Sequence, residues 1–145
     1  MDILRLTSIP AVWDDPVFSR NDAYNLLTQP HHVLLAVGES GLHGHLLVRL
    51  MPGTMADILT LYVPPTARRC GYAKLLVENT LSAARAAGCT GLALEVNSTN
   101  AAAVALYTVC GLQQVGKREA YYSGNTADSV SNLKADALVL AVSFA

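Results

Sequence analysis

The sequence predicts an α/β domain, and three observations carry that prediction. Ile58-Leu59-Thr60-Leu61-Tyr62-Val63 has the aliphatic, β-branched and aromatic make-up of a strand. Beyond Pro64-Pro65-Thr66, which ends that run, Ala73, Leu76, Val77, Thr80, Leu81 and Ala84 recur at the spacing of one helical face. Strand-like Leu92 to Val96 is then followed by an alanine-rich helical stretch, Thr99 to Val109. Strands alternating with amphipathic helices must bury one against the other, which calls for a sheet with helices packed on it.

The remaining elements follow in chain order. Ile3 to Leu6 reads as a first strand. Asp14 to Gln29 is polar and interrupted, and Pro16 and Asn21 are the helix starts within it, giving one or two short helices. His32 to Val37 and Leu42 to Met51 are strand-like, separated by the hairpin-length turn Gly38-Glu39-Ser40-Gly41. Pro52-Gly53-Thr54 turns the chain into the strand that ends at Val63. The long helix begins near Gly71 and stops near Gly88, where a glycine suits the C-terminal cap. Leu112 to Tyr122 and Ala137 to Phe144 pair as the last strands. Between them, Tyr122 to Lys134 is rich in Ser, Asn and Gly and reads as a loop. No repeat or linker interrupts the chain, so its 145 residues are expected to form one domain, 1–145.

Composition excludes several function classes. Apolar residues make up 52% and charged ones 14%, which points to a packed core rather than disorder. A net charge of −1 gives no general attraction to nucleic acid or an anionic membrane. No apolar run approaches a membrane span, and Met1 to Pro10 carries acid and base too early for a secretory signal, so the expected location is cytoplasmic. Cys70, Cys89 and Cys110 are odd in number and lack disulfide or metal spacing; no metal is expected.

Chemistry concentrates at the junction of the central strand and the long helix, Arg68-Arg69-Cys70-Gly71-Tyr72-Ala73-Lys74. A helix N-terminus presents unpaired N–H groups and a positive dipole end, and the two arginines add charge. Glycine lets backbone approach a ligand closely. The pattern fits a pyrophosphate cradle, and fits equally a structural turn with solvated arginines. Neither G-x-x-x-x-G-K-[ST] nor G-x-G-x-x-G after a strand occurs, which excludes a P-loop and a dinucleotide fingerprint.

Arg68-x-x-Gly71-x-Ala73 resembles the acyl-coenzyme A signature of the GNAT acetyltransferase superfamily, [Q/R]-x-x-G-x-[G/A]. Downstream, Leu94-Glu95-Val96, Asn100, Ala103, Leu106-Tyr107 and Gly111-Leu112 are similar to the L-E-V-x-x-x-N-x-x-A-x-x-L-Y-x-x-x-G-F block of the ribosomal-protein-alanine N-acetyltransferases. There a paired tyrosine such as Tyr121-Tyr122 follows. Leu112 replaces the usual phenylalanine. The resemblance runs from about Leu59 to Tyr122. It implies a GNAT-type acyl-CoA N-acyltransferase fold, a mixed and mostly antiparallel sheet with helices on both faces.

What the resemblance implies for function is equally specific. Acetyl-CoA would be the acetyl donor, bound at its pyrophosphate by Arg69 to Lys74, with Arg68 in the signature. The backbone of Leu61, Tyr62 and Val63 would meet the pantetheine amides, and an N–H there would polarise the thioester carbonyl. Asn100 would contact the cofactor arm. Acetyl transfer to an amine needs a free amine and a proton for the departing thiolate. The resemblance assigns Glu95 as base and Tyr107 as general acid. The residues alone leave Glu95 open: partial burial would make it a better base, and the solvent face of an amphipathic strand is the plainer place for it. Tyr107 could likewise be a core tyrosine.

The acceptor indicated is a protein N-terminal α-amine, with a ribosomal protein beginning in alanine as nearest precedent. A small amine (polyamine, amino acid or aminoglycoside) is the enzymatic alternative. A catalytically silent acyl-CoA-binding module is the other class, and the presence of both Glu95 and Tyr107 argues against it. His43 and His45, two apart, read as exposed strand histidines rather than metal ligands. Trp13 suits an acceptor groove or the core, and Cys89 and Cys110 read as buried filler.

Overall fold

A computed structural model describes residues 3–39, 43–122 and 135–144. Backbone contacts divide the chain into two compact units, Met1–Leu92 with Ser143–Ala145, and Ala93–Val142.

The first unit is built on β1 (Ile3–Leu6), β2 (His32–Val37), β3 (Gly44–Arg49) and β4 (Met55–Tyr62), adjacent in that order and antiparallel. Val33 to Val37 and Gly44 to Val48 are all buried. Successive strand residues point to opposite faces, so both faces of the sheet are covered here, which is why these runs are continuously apolar. In β4 only Ala56, Ile58 and Thr60 are buried, the period of a half-covered strand. Val48 pairs with Ile58 while Leu47 pairs with Thr60, so Leu59 is an extra residue, a bulge in β4.

Two helices pack on this sheet. Helix α1 (Arg20–Leu27) starts at Ser19, whose hydroxyl accepts from the Asp22 amide at 3.0 Å, and lies against β2. It is one helix, starting within a residue of the predicted Asn21 and not at Pro16, because the chain before it is a turn organised by Asp15. Helix α2 (Tyr72–Ala86) buries Leu76, Val77, Thr80 and Ala84 and packs on all four strands. That is the predicted face, and Thr80 sits in it because its hydroxyl donates to the Leu76 carbonyl at 2.8 Å. Gly44 must be glycine: a Cβ there would lie 3.1 Å from the Tyr62 carbonyl oxygen.

The second unit holds β5 (Gly91–Asn97, its first two residues in the first unit), α3 (Ala101–Val109), β6 (Gln113–Tyr122) and β7 (Ala135–Ser143). Strand order is β5-β7-β6, with β6 and β7 antiparallel from Gln113 opposite Ala141 to Tyr122 opposite Ala135. The sheet is mixed and mostly antiparallel with flanking helices, as expected. The predicted turn at Gly38 to Gly41 falls partly, and the loop up to Lys134 from position 123, outside the described residues. No helix among the described residues is long and apolar enough to cross a membrane.

Candidate active site

The cradle lies in the first unit. A single 3-10 turn, Pro65–Ala67, follows β4, so β4 stops at Tyr62 rather than Val63. Arg69 (φ 64°) and Gly71 (φ 79°) then both adopt the left-handed backbone conformation that turns the chain into α2. Gly71 is the N-cap of α2, no side chain caps that end, and no acid occupies its first turn. Nothing lies within 4 Å of where a Cβ of Gly71 would sit. An uncapped, open helix N-terminus flanked by exposed Arg69 and Lys74 has orphan N–H donors and positive charge for an anion. These residues fit the pyrophosphate of an acyl-CoA.

Individual cradle residues differ in what they have to offer. Arg68 donates from Nε to the Val63 carbonyl at 3.0 Å, tying the cradle to the end of β4. Tyr72 stacks on His43, ring centroids 5.1 Å apart, and is half-buried with Ala73. Cys70 is exposed, with Sγ 3.5 Å from the Arg68 carbonyl. Leu61, Tyr62 and Val63 are half-buried, and Leu61 and Tyr62 pair with Leu46 and His45 of β3.

The second unit carries the predicted acid and base residues on consecutive elements, β5 and α3. Glu95 is on β5 between buried Leu94 and Val96, and its own side chain is exposed. Both carboxylate oxygens accept from Nη1 of Arg118 on β6, at 3.1 Å each. Strand alternation thus leaves Glu95 on the more open side of β5, between buried neighbours, where Arg118 pairs with it. Tyr107 on α3 is buried, and burial, with a smaller contribution from repulsion by the Cys110 thiolate, pushes its phenol up to about 12. Its proton is firmly held at neutral pH.

Asn100 is the N-cap of α3; its Oδ1 accepts from the Ala103 amide at 3.1 Å. The side-chain oxygen is thus engaged by the helix, and only the amide NH₂ is left to donate to a cofactor arm. Cys110 is half-exposed rather than buried, whereas Cys89 is buried.

Sequence reading missed a buried polar cluster in the first unit. His45 is 5% exposed, not the exposed strand histidine expected, and its Nε2 lies 2.9 Å from Asp15 Oδ2. Thr60 donates to the same oxygen at 2.7 Å, and the amides of Val17 and Phe18 donate to Oδ1 at 2.8 and 3.0 Å. Burial alone would raise the Asp15 pKa, but hydrogen bonds from His45, Thr60 and the two amides bring it down to about 2. Trp13 stacks on His45 with centroids 4.0 Å apart, and Tyr62 approaches it at 5.8 Å. The signals available were a threonine at an inward position of β4 and an Asp-Pro turn, and neither points to His45. No group of three metal-ligating side chains is found among the described residues.

Comparison with known proteins places this geometry. Residues 2–112 match the model of the acetyltransferase (GNAT) family. A [ribosomal protein bS18]-alanine N-acetyltransferase of Salmonella typhimurium strain LT2 is 34% identical over 67 residues, 46% of this chain and 45% of that protein. The chain thus spans about half the length of this curated relative. The crystal structure of the ribosomal-protein-S18-alanine N-acetyltransferase from Escherichia coli superposes with a TM-score of 0.74 at 24% identity, covering 88% of this chain and 79% of that one. NAA60 of Arabidopsis thaliana, in complex with acetyl-CoA, gives 0.72 at 21% identity over 88% and 84%. These two likenesses establish the fold, and the family match contains the cradle, β5 and α3: the chain belongs to the acetyltransferase (GNAT) family.

Proposed function

We propose that this protein is an acetyl-CoA-dependent N-acetyltransferase acting on a protein N-terminal α-amine, with a ribosomal protein beginning in alanine as the favoured acceptor. The observation that carries the reading is Tyr107, a buried phenol held protonated to about 12, on a helix whose sequence matches the acid-bearing block. The relative from Salmonella typhimurium supports the acceptor class. The donor brings an acetyl group activated as a thioester. Arg69 to Lys74 and the N-terminus of α2 hold its pyrophosphate, and Asn100 Nδ2 and the backbone of Leu61 to Val63 bind its amide-bearing arm.

Tyr107 Oη gives its proton to the departing sulfur, and Glu95 accepts the proton released from nitrogen as the amide forms. The neutral phenol is in place to donate as charge develops on sulfur; the thiol formed is the stronger acid, with a pKa of roughly 8.5 in the cysteine model, so the phenol recovers its proton from solvent to close the step. A cytoplasmic enzyme that needs no metal, no nucleic acid and no membrane fits this chemistry. The decisive experiment offers acetyl-CoA and a panel of N-terminal peptides and small amines, and locates the added acetyl by mass. Alanine-initiated peptides should be acetylated on the α-amine; modification of small amines alone would overturn the peptide reading.

A further inference from the structure

The amine that an acetyltransferase receives is mostly an ammonium: a peptide α-amine has a pKa of about 8, so near neutrality a proton must leave before nitrogen can attack. Two protons are shed by that nitrogen over the whole reaction, one before attack and one as the amide forms. The Asp15–His45–Thr60 cluster is used by nothing described so far, and it borders a cavity of about 520 Å³ within the first unit. The cavity is walled by Ile9, Pro10, Ala11 and Val12, with Asp14, His45 and Tyr62 among its polar and aromatic lining. Arg20 steadies that wall, donating to the carbonyls of Pro10 and Ala11.

We propose that His45 is the proton acceptor for the ammonium of the acceptor substrate, taking the proton on Nδ1, with Asp15 as the residue that positions it. The argument begins with tautomer. Asp15 is ionised across the working pH range, and an ionised carboxylate only accepts hydrogen bonds. At 2.9 Å from Asp15 Oδ2, Nε2 must carry the hydrogen, which leaves the lone pair of neutral His45 on Nδ1.

Access comes next. Among the described residues no hydrogen bond engages Nδ1, yet no buried side-chain nitrogen or oxygen there lacks a partner, so Nδ1 is open to the cavity that His45 lines. Rigidity completes it. Trp13 stacks on the imidazole, and Thr60 and two amides hold the carboxylate, so neither group is free to turn. A histidine oriented by a buried aspartate, with its second nitrogen presented to a cavity, is the arrangement by which proteins make a general base.

The proton balance is simple: R–NH₃⁺ and neutral His45 become R–NH₂ and imidazolium, whose positive charge Asp15 stabilises and whose proton later returns to solvent. The carboxylate of Asp14 adds attraction for an incoming cation. This division leaves Glu95 the second proton. The inference rests on the acetyltransferase reading, which supplies the amine.

The test uses the full chain labelled with ¹⁵N-histidine, the His45 signals assigned by their loss in His45→Gln. Wild type should show the Nε2–H tautomer, and an alanine-initiated peptide should move the Nδ1 resonance of His45. In Asp15→Asn the new amide would donate to Nε2, driving the hydrogen to Nδ1 and filling the lone pair that faces the cavity. kcat/KM for the peptide should fall by on the order of 10²-fold in that variant and in His45→Gln, with acetyl-CoA affinity by calorimetry unchanged. Should Asp15→Asn not fold, His45→Ala with imidazole added back replaces it, because rescue requires a proton-transfer role. An Nδ1–H tautomer in wild type, unchanged kcat/KM in His45→Gln, or no rescue would overturn the proposal. A wild-type protein inert toward every amine would instead overturn the acetyltransferase reading, while the tautomer and the peptide-induced shift still judge His45.

Discussion

Two carboxylates show how differently this fold treats an acid. Asp15 is 8% exposed and accepts from His45, Thr60 and two backbone amides, so that burial is outweighed and its proton is lost even at pH 3. Glu95, with a side chain 36% exposed, meets Arg118, itself 52% exposed. The first is an organising element whose removal leaves four donors without their acceptor, two of them, on His45 and Thr60, buried. The second is a surface pair whose geometry can change at little cost, as suits the base role proposed for it. A carboxylate that orients another residue needs burial and many partners, whereas one that moves protons itself needs access.

The comparison breaks most visibly in stability. Asp15→Ala leaves His45, Thr60 and two amides without an acceptor, and should destabilise the fold by about 3–5 kcal/mol, the range for removing one partner of a buried pair. Glu95→Ala should cost less than about 1 kcal/mol, as exposed pairs do. Urea unfolding of the two variants beside wild type checks both. Equal losses would mean that the Asp15 cluster is hydrated in solution.

Catalysis supplies the next largest effect. Tyr107→Phe keeps the buried ring of α3 and deletes only the hydroxyl, so kcat should drop by on the order of 10²-fold with the acetyl-CoA KM little changed. An acyl donor with a better leaving group should recover part of the deficit. A variant with wild-type kcat would transfer the acid role to water or another side chain.

Acid should then separate the two carboxylates. Asp15 has a folded pKa of about 2 against 3.8 in the unfolded chain. A depressed value contributes stability that is present above pH 3.8 and lost as pH falls toward 2, and the difference corresponds to about 2 kcal/mol at 1.36 kcal/mol per unit. Denaturation followed from pH 5 to pH 2 should lose that amount in wild type and much less in Asp15→Asn. A flat profile in wild type would mean that the four hydrogen bonds form equally well to the protonated acid.

What was legible in the sequence follows the same division. Helix α2, the glycine at its start and the succession of β5 and α3 were readable because each is local: periodicity, a glycine at a helix start, an apolar run followed by an alanine-rich one. Even errors there were small, such as β4 ending at Tyr62 because the 3-10 turn begins at Pro65. The Asp15–His45–Thr60 cluster joins a turn and two strands, positions 15, 45 and 60, through strand register and a loop that folds back over the sheet. No local pattern encodes that meeting. Strand alternation was also available for Glu95, and it gave the right face: the neighbours Leu94 and Val96 are buried and the glutamate is not.

The smallest expected effect concerns Arg118. Its guanidinium gives both Glu95 oxygens a partner at 3.1 Å across exposed surface, so Arg118→Ala should change stability by less than about 1 kcal/mol, and 0.5 M salt should erase most of that. Its effect on turnover is more telling. If Glu95 takes the proton released as the amide forms, removing the cation beside it must alter how readily it does so, and kcat should shift a few-fold. In the Glu95→Gln background the same substitution should then do nothing further, because the group it acts through is gone. A double-mutant cycle on kcat measures that coupling. If Arg118→Ala lowers kcat equally in both backgrounds, the arginine acts independently of Glu95, and the ion pair is a surface contact without part in the proton transfer.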